Sequence, residues 1–192
     1  AHNFRGKRER HPPYARMNMV GKAIATNAAQ IYRGLDFQRE AEIKVAWREI
    51  KLGVRKPDAK RLDWARETIA RFNVKPAPRL PRNVVYANEA IGLSKYPDQV
   101  KIILQAIRIG DLAIAAIPNE VFAETGLAIK AQSPFQDTFV IELANGYSGY
   151  LPTPNQHEWG GYETWPARSS LLEVQAEPKI KQTVLELLNE LK

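Results

Sequence analysis

The chain has 192 residues, 44% of them hydrophobic and 26% charged, which is typical of a globular domain with a core of its own. It has no cysteine, so disulfide frameworks and thiol chemistry are excluded, and no apolar run approaches the roughly 20 residues that span a bilayer. The net charge of +7 is uneven: residues 1–82 hold 20 Lys and Arg against 8 Asp and Glu, and the remainder holds 8 against 13.

The first ten residues are polar, rich in arginine and without Met or the apolar core of a signal peptide, which suggests a fragment of a longer protein. The basic first half could form a nucleic-acid surface, a surface for anionic lipid or a solvated helix face. Basic residues alternate with Glu and no nucleic-acid motif is present, so we expect no nucleic-acid partner. A basic, non-catalytic module that binds anionic membrane or nucleic acid is the alternative hypothesis for function.

Residues 14–32 have apolar side chains at three- and four-residue spacing, which predicts an amphipathic helix that ends near Gly34. The residues of its predicted inner face are Met17, Val20, Ile24, Ala28 and Ile31. Further along, Ile43, Val45 and Trp47 alternate with charged or small residues, as in a strand that buries this apolar side.

A second helix is predicted over residues 58–72, because Pro57 and Asp58 form a start signal. Its predicted inner face is Leu62, Ala65, Ile69 and Phe72, with Trp64 off that face. The three prolines of residues 75–81 cannot continue a helix and predict a loop. A short helix is expected over residues 83–95.

Two apolar, β-branched runs, residues 99–109 and 112–117, are separated by Gly110-Asp111, which predicts a β-hairpin. A helix over 119–131, a strand over 138–144 and an amphipathic helix over 178–191 follow. We therefore predict an α/β fold, with α+β as the alternative, in which helices pack on a mixed β-sheet.

The segment after the 138–144 strand is rich in glycine, proline and tyrosine. Tyr147 and Tyr150 are three residues apart in a turn that glycines make flexible, and Tyr162 follows a second glycine pair. Loops at strand ends often present functional side chains, so this segment is a candidate site. The alternative is that the tyrosines are rim aromatics that pack by an edge and hydrogen-bond through the hydroxyl.

Glu120 stands out among the carboxylates because it follows a buried strand and precedes a predicted helix. It is either a first-turn charge that complements the helix dipole or a metal ligand or acid-base group. His2, His11 and His157 have no partner at metal-ligand spacing, so we expect them to be solvated. Phosphate-binding, nucleophile-elbow, zinc-protease and dinucleotide motifs are missing from the sequence.

Three segments, Ile109 to Phe122, Ala144 to Tyr150 and Gly161 to Glu163, occur in an order that resembles the neutral/alkaline non-lysosomal ceramidase family, in particular its bacterial ceramidase-like members. The resemblance implies a zinc-dependent amidohydrolase that cleaves the N-acyl bond of ceramide or a related lipid amide. It implies that residues 1–192 form a single partial domain, the C-terminal portion of a catalytic domain. It also suggests a secreted or periplasmic protein, a location that the chain itself leaves unknown, and allows a peripheral membrane surface.

The resemblance implies roles for three residues of these segments. Glu120 and Tyr150 correspond to zinc ligands of the family, and Tyr162 corresponds to the residue that hydrogen-bonds the developing oxyanion. Zinc lowers the pKa of a bound water to about 7, which suits attack on an amide carbonyl. The family's two histidine ligands and its nucleophile segment lie upstream of the matching region, and the three histidines here fall outside the family's ligand motifs. We therefore expect the isolated chain to be inactive.

Overall fold

The computed structural model describes residues 11–37, 39–72 and 79–192, which divide into two compact units, residues 1–40 and 41–192. In the first unit, helix α1 spans Ala15–Arg33 and confirms the predicted helix, although none of its residues is buried. That both units belong to one partial domain stays a prediction. None of the described helices is both long and apolar enough to cross a membrane.

The second unit alternates strands and helices along the chain. Its elements are β1 (Ile43–Gly53), α2 (Ala59–Arg71), α3 (Arg82–Ser94), β2 (Gln99–Ile109), β3 (Leu112–Ala116), β4 (Glu120–Val121), α4 (Ala123–Gln132), β5 (Asp137–Ile141), β6 (Tyr150–Leu151), α5 (Pro154–Trp159) and α6 (Ala176–Glu190), with a 3-10 helix at Tyr162–Thr164 before α6. The predicted loop at residues 75–81 lies largely outside the described residues.

The main sheet has the strand order β1-β2-β3-β5, with β1, β2 and β3 antiparallel and β5 parallel to β3. The predicted hairpin joins β2 to β3 through Gly110, whose φ of 58° lies in the left-handed region that glycine adopts readily. Because β3 and β5 are parallel, the chain crosses over between them, and this connection contains α4. The predicted α/β fold with a mixed sheet is confirmed.

One face of the sheet, here called the inner face, packs against α6, which contacts β1, β2 and β3. The even-numbered residues of β2 supply the centre of this core: Ile102, Leu104 and Ala106 are buried. They meet Ile180 and Val184 of α6, which are also buried. The 3.6-residue repeat of α6 and the two-residue repeat of β2 therefore each place an apolar side in the same core.

The prediction for the buried side of β1 is wrong. Ile43, Val45 and Trp47 are exposed, whereas the even-numbered residues, ending in buried Leu52, point to the inner face. The even-numbered side also carries Arg48, whose guanidinium donates hydrogen bonds to two carboxylates of α6, Glu186 and Glu190. Arg48 can lie on this side because α6 offers carboxylates at its edge, a contact that alternation within β1 does not reveal.

The opposite face of the sheet, here called the outer face, is also apolar. It includes the odd-numbered residues of β1 and β2 and the residues paired with them in β3 and β5. Its exposed large apolar residues are Ile43, Val45, Trp47, Ile103, Ile109, Phe139 and Ile141. Strands that are apolar on both sides are typical of sheets covered on both faces, but α6 covers only the inner face of this one.

Helices α2 and α3 pack against each other. Asp58 caps α2, as predicted, by accepting a hydrogen bond from the Arg61 N–H at 2.7 Å. Ala65 and two alanines of α3 are buried between the helices, and Trp64 packs against them. Trp64 was expected to lie off the inner face of α2, but the small alanines leave room for its indole.

Candidate active site

Glu120 lies in a strand rather than at a helix N-terminus. The helix predicted from residue 119 begins at Ala123, because the backbone of β4 pairs in parallel with β6. The Glu120 N–H donates to the Gly149 carbonyl at 2.9 Å, and the register places Glu120 beside Tyr150. The interpretation of Glu120 as a first-turn charge that complements a helix dipole is therefore wrong.

A buried asparagine positions the loop that follows β5. Asn119 is 0% exposed, and its side-chain amide donates to the carbonyls of Ser148 at 2.9 Å and Gly149 at 3.1 Å. Its Oδ1 atom has no hydrogen-bond partner among the described residues. The Ser148 N–H donates in turn to the Pro118 carbonyl at 2.6 Å. The residues on either side of Glu120 and Tyr150 are thus joined by direct hydrogen bonds.

The glycine before Tyr150 is required by the backbone. Gly149 has a φ of 75°, and a Cβ atom there would lie 2.4 Å from the carbonyl oxygen of Ser169. This close approach accompanies the hydrogen bond that the Tyr150 N–H donates to the same carbonyl at 2.8 Å. Any side chain at residue 149 would therefore displace the backbone that carries Tyr150.

Two tyrosines, Tyr147 and Tyr150, lie beside Glu120, and a third, Tyr162, packs against Tyr150. The Tyr147 hydroxyl donates to Glu120 Oε1 over 3.4 Å, and the rings of Tyr150 and Tyr162 meet edge to face with centroids 5.7 Å apart. We call these four residues the Glu-Tyr cluster. The structure thus brings together Glu120, Tyr150 and Tyr162, the three residues singled out from the sequence, and adds Tyr147.

The surroundings of Tyr147 and Tyr150 favour the protonated form of both phenols. Burial, hydrogen bonding with Tyr162 and the negative charge of Glu120 together raise the pKa of Tyr150 well above its ordinary value. Burial and the nearby Glu120 also raise the pKa of Tyr147. Tyr147 and Tyr150 therefore present hydroxyl groups that can donate hydrogen bonds beside Glu120.

Arg55 positions the turn that carries Tyr162. Its guanidinium donates to the Thr164 carbonyl at 2.7 Å and to the carbonyl and hydroxyl of Ser170 at 2.6 and 2.8 Å. These bonds connect the strand end after β1 to the 3-10 helix Tyr162–Thr164. Burial lowers the pKa of Arg55, so these carbonyls compensate in part for lost solvation.

The sequence did not single out Asn119 or Arg55. For Asn119 a signal was present, since it stands between Pro118 and Glu120, where a strand ends. Arg55 had no local signal, because its partners are more than 100 residues away in the chain. Glu142 was also missed, although its carboxylate accepts from the Val121 N–H at 3.0 Å and so supports β4.

The histidines differ in their surroundings. His157 lies in α5 and is half-buried rather than solvated, and burial, followed by the positive charge of Arg55, lowers its pKa. His11 is exposed, as expected, and His2 lies outside the described residues.

Glu120 and Tyr150 offer two of the ligands that a zinc site requires. Glu120 and Tyr150 are adjacent oxygen donors and fit as two members of a ligand set. Zinc sites use at least three protein ligands, and no group of three or more His, Cys, Asp or Glu residues occurs within residues 11–37, 39–72 and 79–192. Zinc binding stays a prediction, and a complete zinc site would require ligands beyond Glu120 and Tyr150.

The mixed α/β fold is found in solved structures of known proteins. No family model matches the chain, and no curated protein matches it in sequence. Solved structures do match. A ceramidase complexed with C2 superposes with a TM-score of 0.56 at 15% identity, over 90% of this chain and 34% of that one. Neutral ceramidase from Pseudomonas aeruginosa gives a TM-score of 0.61 at 15% identity, over 97% of this chain and 35% of that one.

The chain therefore has the fold of part of these ceramidases and spans about a third of their length. At this low identity the likeness concerns the fold alone. It agrees with the resemblance drawn from the sequence motifs, and the roles of individual residues stay predictions.

Proposed function

We propose that the chain carries part of the active site of a zinc-dependent amidohydrolase that cleaves the N-acyl bond of ceramide or a related lipid amide. The observation that supports this most directly is the pairing of Glu120 with Tyr150 across β4 and β6, with the Tyr162 ring against Tyr150. The fold shared with ceramidases over at least 90% of the chain supports it independently of the site.

Each residue of the cluster has a defined task in this proposal. Glu120 supplies carboxylate oxygen and Tyr150 phenolic oxygen to the ion, and zinc, when bound, supplies a Lewis acid that activates water. The Tyr162 hydroxyl donates a hydrogen bond where negative charge develops on the carbonyl oxygen of the substrate. Tyr147 holds the Glu120 carboxylate in place through its hydroxyl.

The backbone keeps this arrangement in place before substrate arrives. Asn119 fixes the carbonyls of residues 148 and 149, and Arg55 fixes the turn that follows Tyr162. Because these contacts come from separate elements, the positions of the acceptor and the donors do not depend on one flexible loop. Such preorganisation is the main source of catalytic stabilisation in acyl-transfer enzymes.

Zinc binding tests the ligand assignment without any activity. In a calorimetric titration of the 192-residue chain, we expect weak zinc binding that E120Q and Y150F each reduce by about tenfold or more. The matched control is E124Q, which neutralises an exposed carboxylate in the first turn of α4. Equal losses in E120Q and E124Q would contradict the assignment.

Hydrolysis of a fluorogenic N-acyl sphingosine tests the reaction. We expect no turnover by residues 1–192 alone with added zinc, and turnover by a longer polypeptide that contains this chain and the missing ligands. In that polypeptide Y162F should lower kcat by about 10²–10³, as loss of an oxyanion donor does, while Y32F, in α1, leaves kcat unchanged. Turnover by the 192-residue chain that E120A abolishes would refute its dependence on further ligands.

A further inference from the structure

A cavity that no residue of the Glu-Tyr cluster lines lies between α2, α3 and the segment that follows the 3-10 helix. Its volume is 770 Å³, which is within the usual range of small-molecule sites. Three aromatic side chains form much of its wall: Trp64, Tyr86 and Trp165. Tyr86 and Trp165 meet edge to face with centroids 5.0 Å apart, so this wall is well packed. We call this cavity the basic aromatic pocket.

Cationic side chains are the second feature of the basic aromatic pocket. The Arg61 guanidinium lies 3.8 Å from the centre of the Trp64 ring, and that of Arg82 lies 5.5 Å from the centre of the Trp165 ring. Within the described part of the chain, neither guanidinium has a carboxylate within 4 Å. Contact with an indole ring holds each guanidinium at the wall of the pocket without neutralising its charge.

The remaining charged groups that line the pocket are Arg55, Lys56 and Asp58. Lys56 donates to Asp98 at 2.7 Å, and Asp58, the single acidic residue of the lining, accepts from the Arg61 backbone N–H. Arg55 donates only to neutral oxygens, and its buried Nε–H has no acceptor among the described residues. The pocket therefore has an excess of positive charge, carried by Arg55, Arg61 and Arg82, next to an apolar wall.

We propose that the basic aromatic pocket binds an amphiphilic anion, a molecule with a carboxylate, phosphate or sulfate head and an aliphatic body. The guanidiniums of Arg61 and Arg82 would take the head, since arginine binds such groups through two parallel N–H donors. The aliphatic body would lie against the aromatic wall and the buried residues Ala90 and Leu93. No residue of the Glu-Tyr cluster lines this pocket, so binding there does not require the proposed hydrolysis.

Decanoate is a suitable probe, because it stays monomeric at millimolar concentration. We expect saturable binding of one decanoate per chain in a calorimetric titration of the 192-residue protein, accompanied by a change in tryptophan fluorescence. The R61Q/R82Q double variant should weaken this binding by about tenfold or more. Decyltrimethylammonium, which has the same chain and a cationic head, should not bind the pocket.

The matched control is R66Q/R71Q, which removes the same net charge from α2 outside the pocket. It should leave decanoate binding unchanged. Binding that is not saturable, equal weakening in both double variants or equal binding of the cationic amphiphile would overturn the proposal. Phosphatidylglycerol vesicles distinguish a free amphiphilic anion from an anionic lipid surface. Binding to vesicles without binding to decanoate would also overturn it, because a charged surface, not the pocket, would then be responsible.

Discussion

The two faces of the main sheet have similar apolar content but very different surroundings. On the inner face, Leu104 is 0% exposed beneath α6, whereas its neighbour Ile103 on the outer face is 45% exposed. The same β2 sequence supplies apolar side chains to both faces. A side chain in such a strand contributes to stability according to what packs on its face, and not according to its own hydrophobicity.

The largest expected effect is on the inner face. L104A should lower the free energy of unfolding by about 2–5 kcal/mol, because it leaves a cavity in a closed core. The adjacent substitution I103A should cost less than about 1 kcal/mol, since that side chain is already half in solvent. Urea unfolding of both variants measures the difference. Equal losses would show that the outer face is also packed in solution.

We expect the inner and outer faces also to differ in how much a basic side chain of β2 contributes to stability. Arg108, on the inner side, donates to the carbonyls of Leu191 and Gly110 at 3.0 and 2.7 Å and so satisfies the C-terminal end of α6. We expect R108A to cost about 1–2 kcal/mol. Lys101, on the outer side, pairs with exposed Glu49, and K101A should cost about 0.5 kcal/mol or less. Urea unfolding measures both losses. A larger loss in K101A than in R108A would contradict the difference between the two faces.

The outer face should be detectable by a dye that binds exposed apolar surface. We expect the V45T/I103T double variant to reduce fluorescence of the dye ANS while it changes unfolding free energy by less than about 1 kcal/mol. The control, L127T/V174T, removes exposed apolar side chains outside the sheet and should leave the signal unchanged. A signal that falls equally in both variants would mean that the dye does not report on this face.

The smallest effect concerns the ion pairs of Arg48. Hydrogen bonding from Gln182, followed by that from Arg48, lowers the pKa of Glu186. A carboxylate whose pKa is lowered in the folded state stabilises the fold at pH values above its pKa in the unfolded chain. It loses that contribution as the pH falls through its pKa in the folded state. R48Q should therefore raise the pKa of Glu186 in a carbon-13 titration, and Q182A should raise it as well. An unchanged value in R48Q would contradict the contact.

The candidate site was predictable only in part. The strand end before the tyrosine loop and the tyrosines themselves follow from composition, and the family resemblance selected Glu120, Tyr150 and Tyr162. The parallel pairing of β4 with β6 joins residues 30 positions apart, and local periodicity carries no information about such a pairing. The same limit explains the start of α4, since the capping potential of Asn119 is used instead in hydrogen bonds to residues 148 and 149.

The sequence by itself determined α1, α2, α3 and α6, the β2-β3 hairpin and the mixed α/β class, because these depend on apolar period, proline and glycine within short segments. Only the tertiary structure decided which side of β1 faces α6 and which residues surround Glu120. It also decided that Arg61, Arg82 and two indoles share one cavity. Those outcomes depend on contacts between distant segments, whose free energy comes from burial and charge pairing after the elements have met.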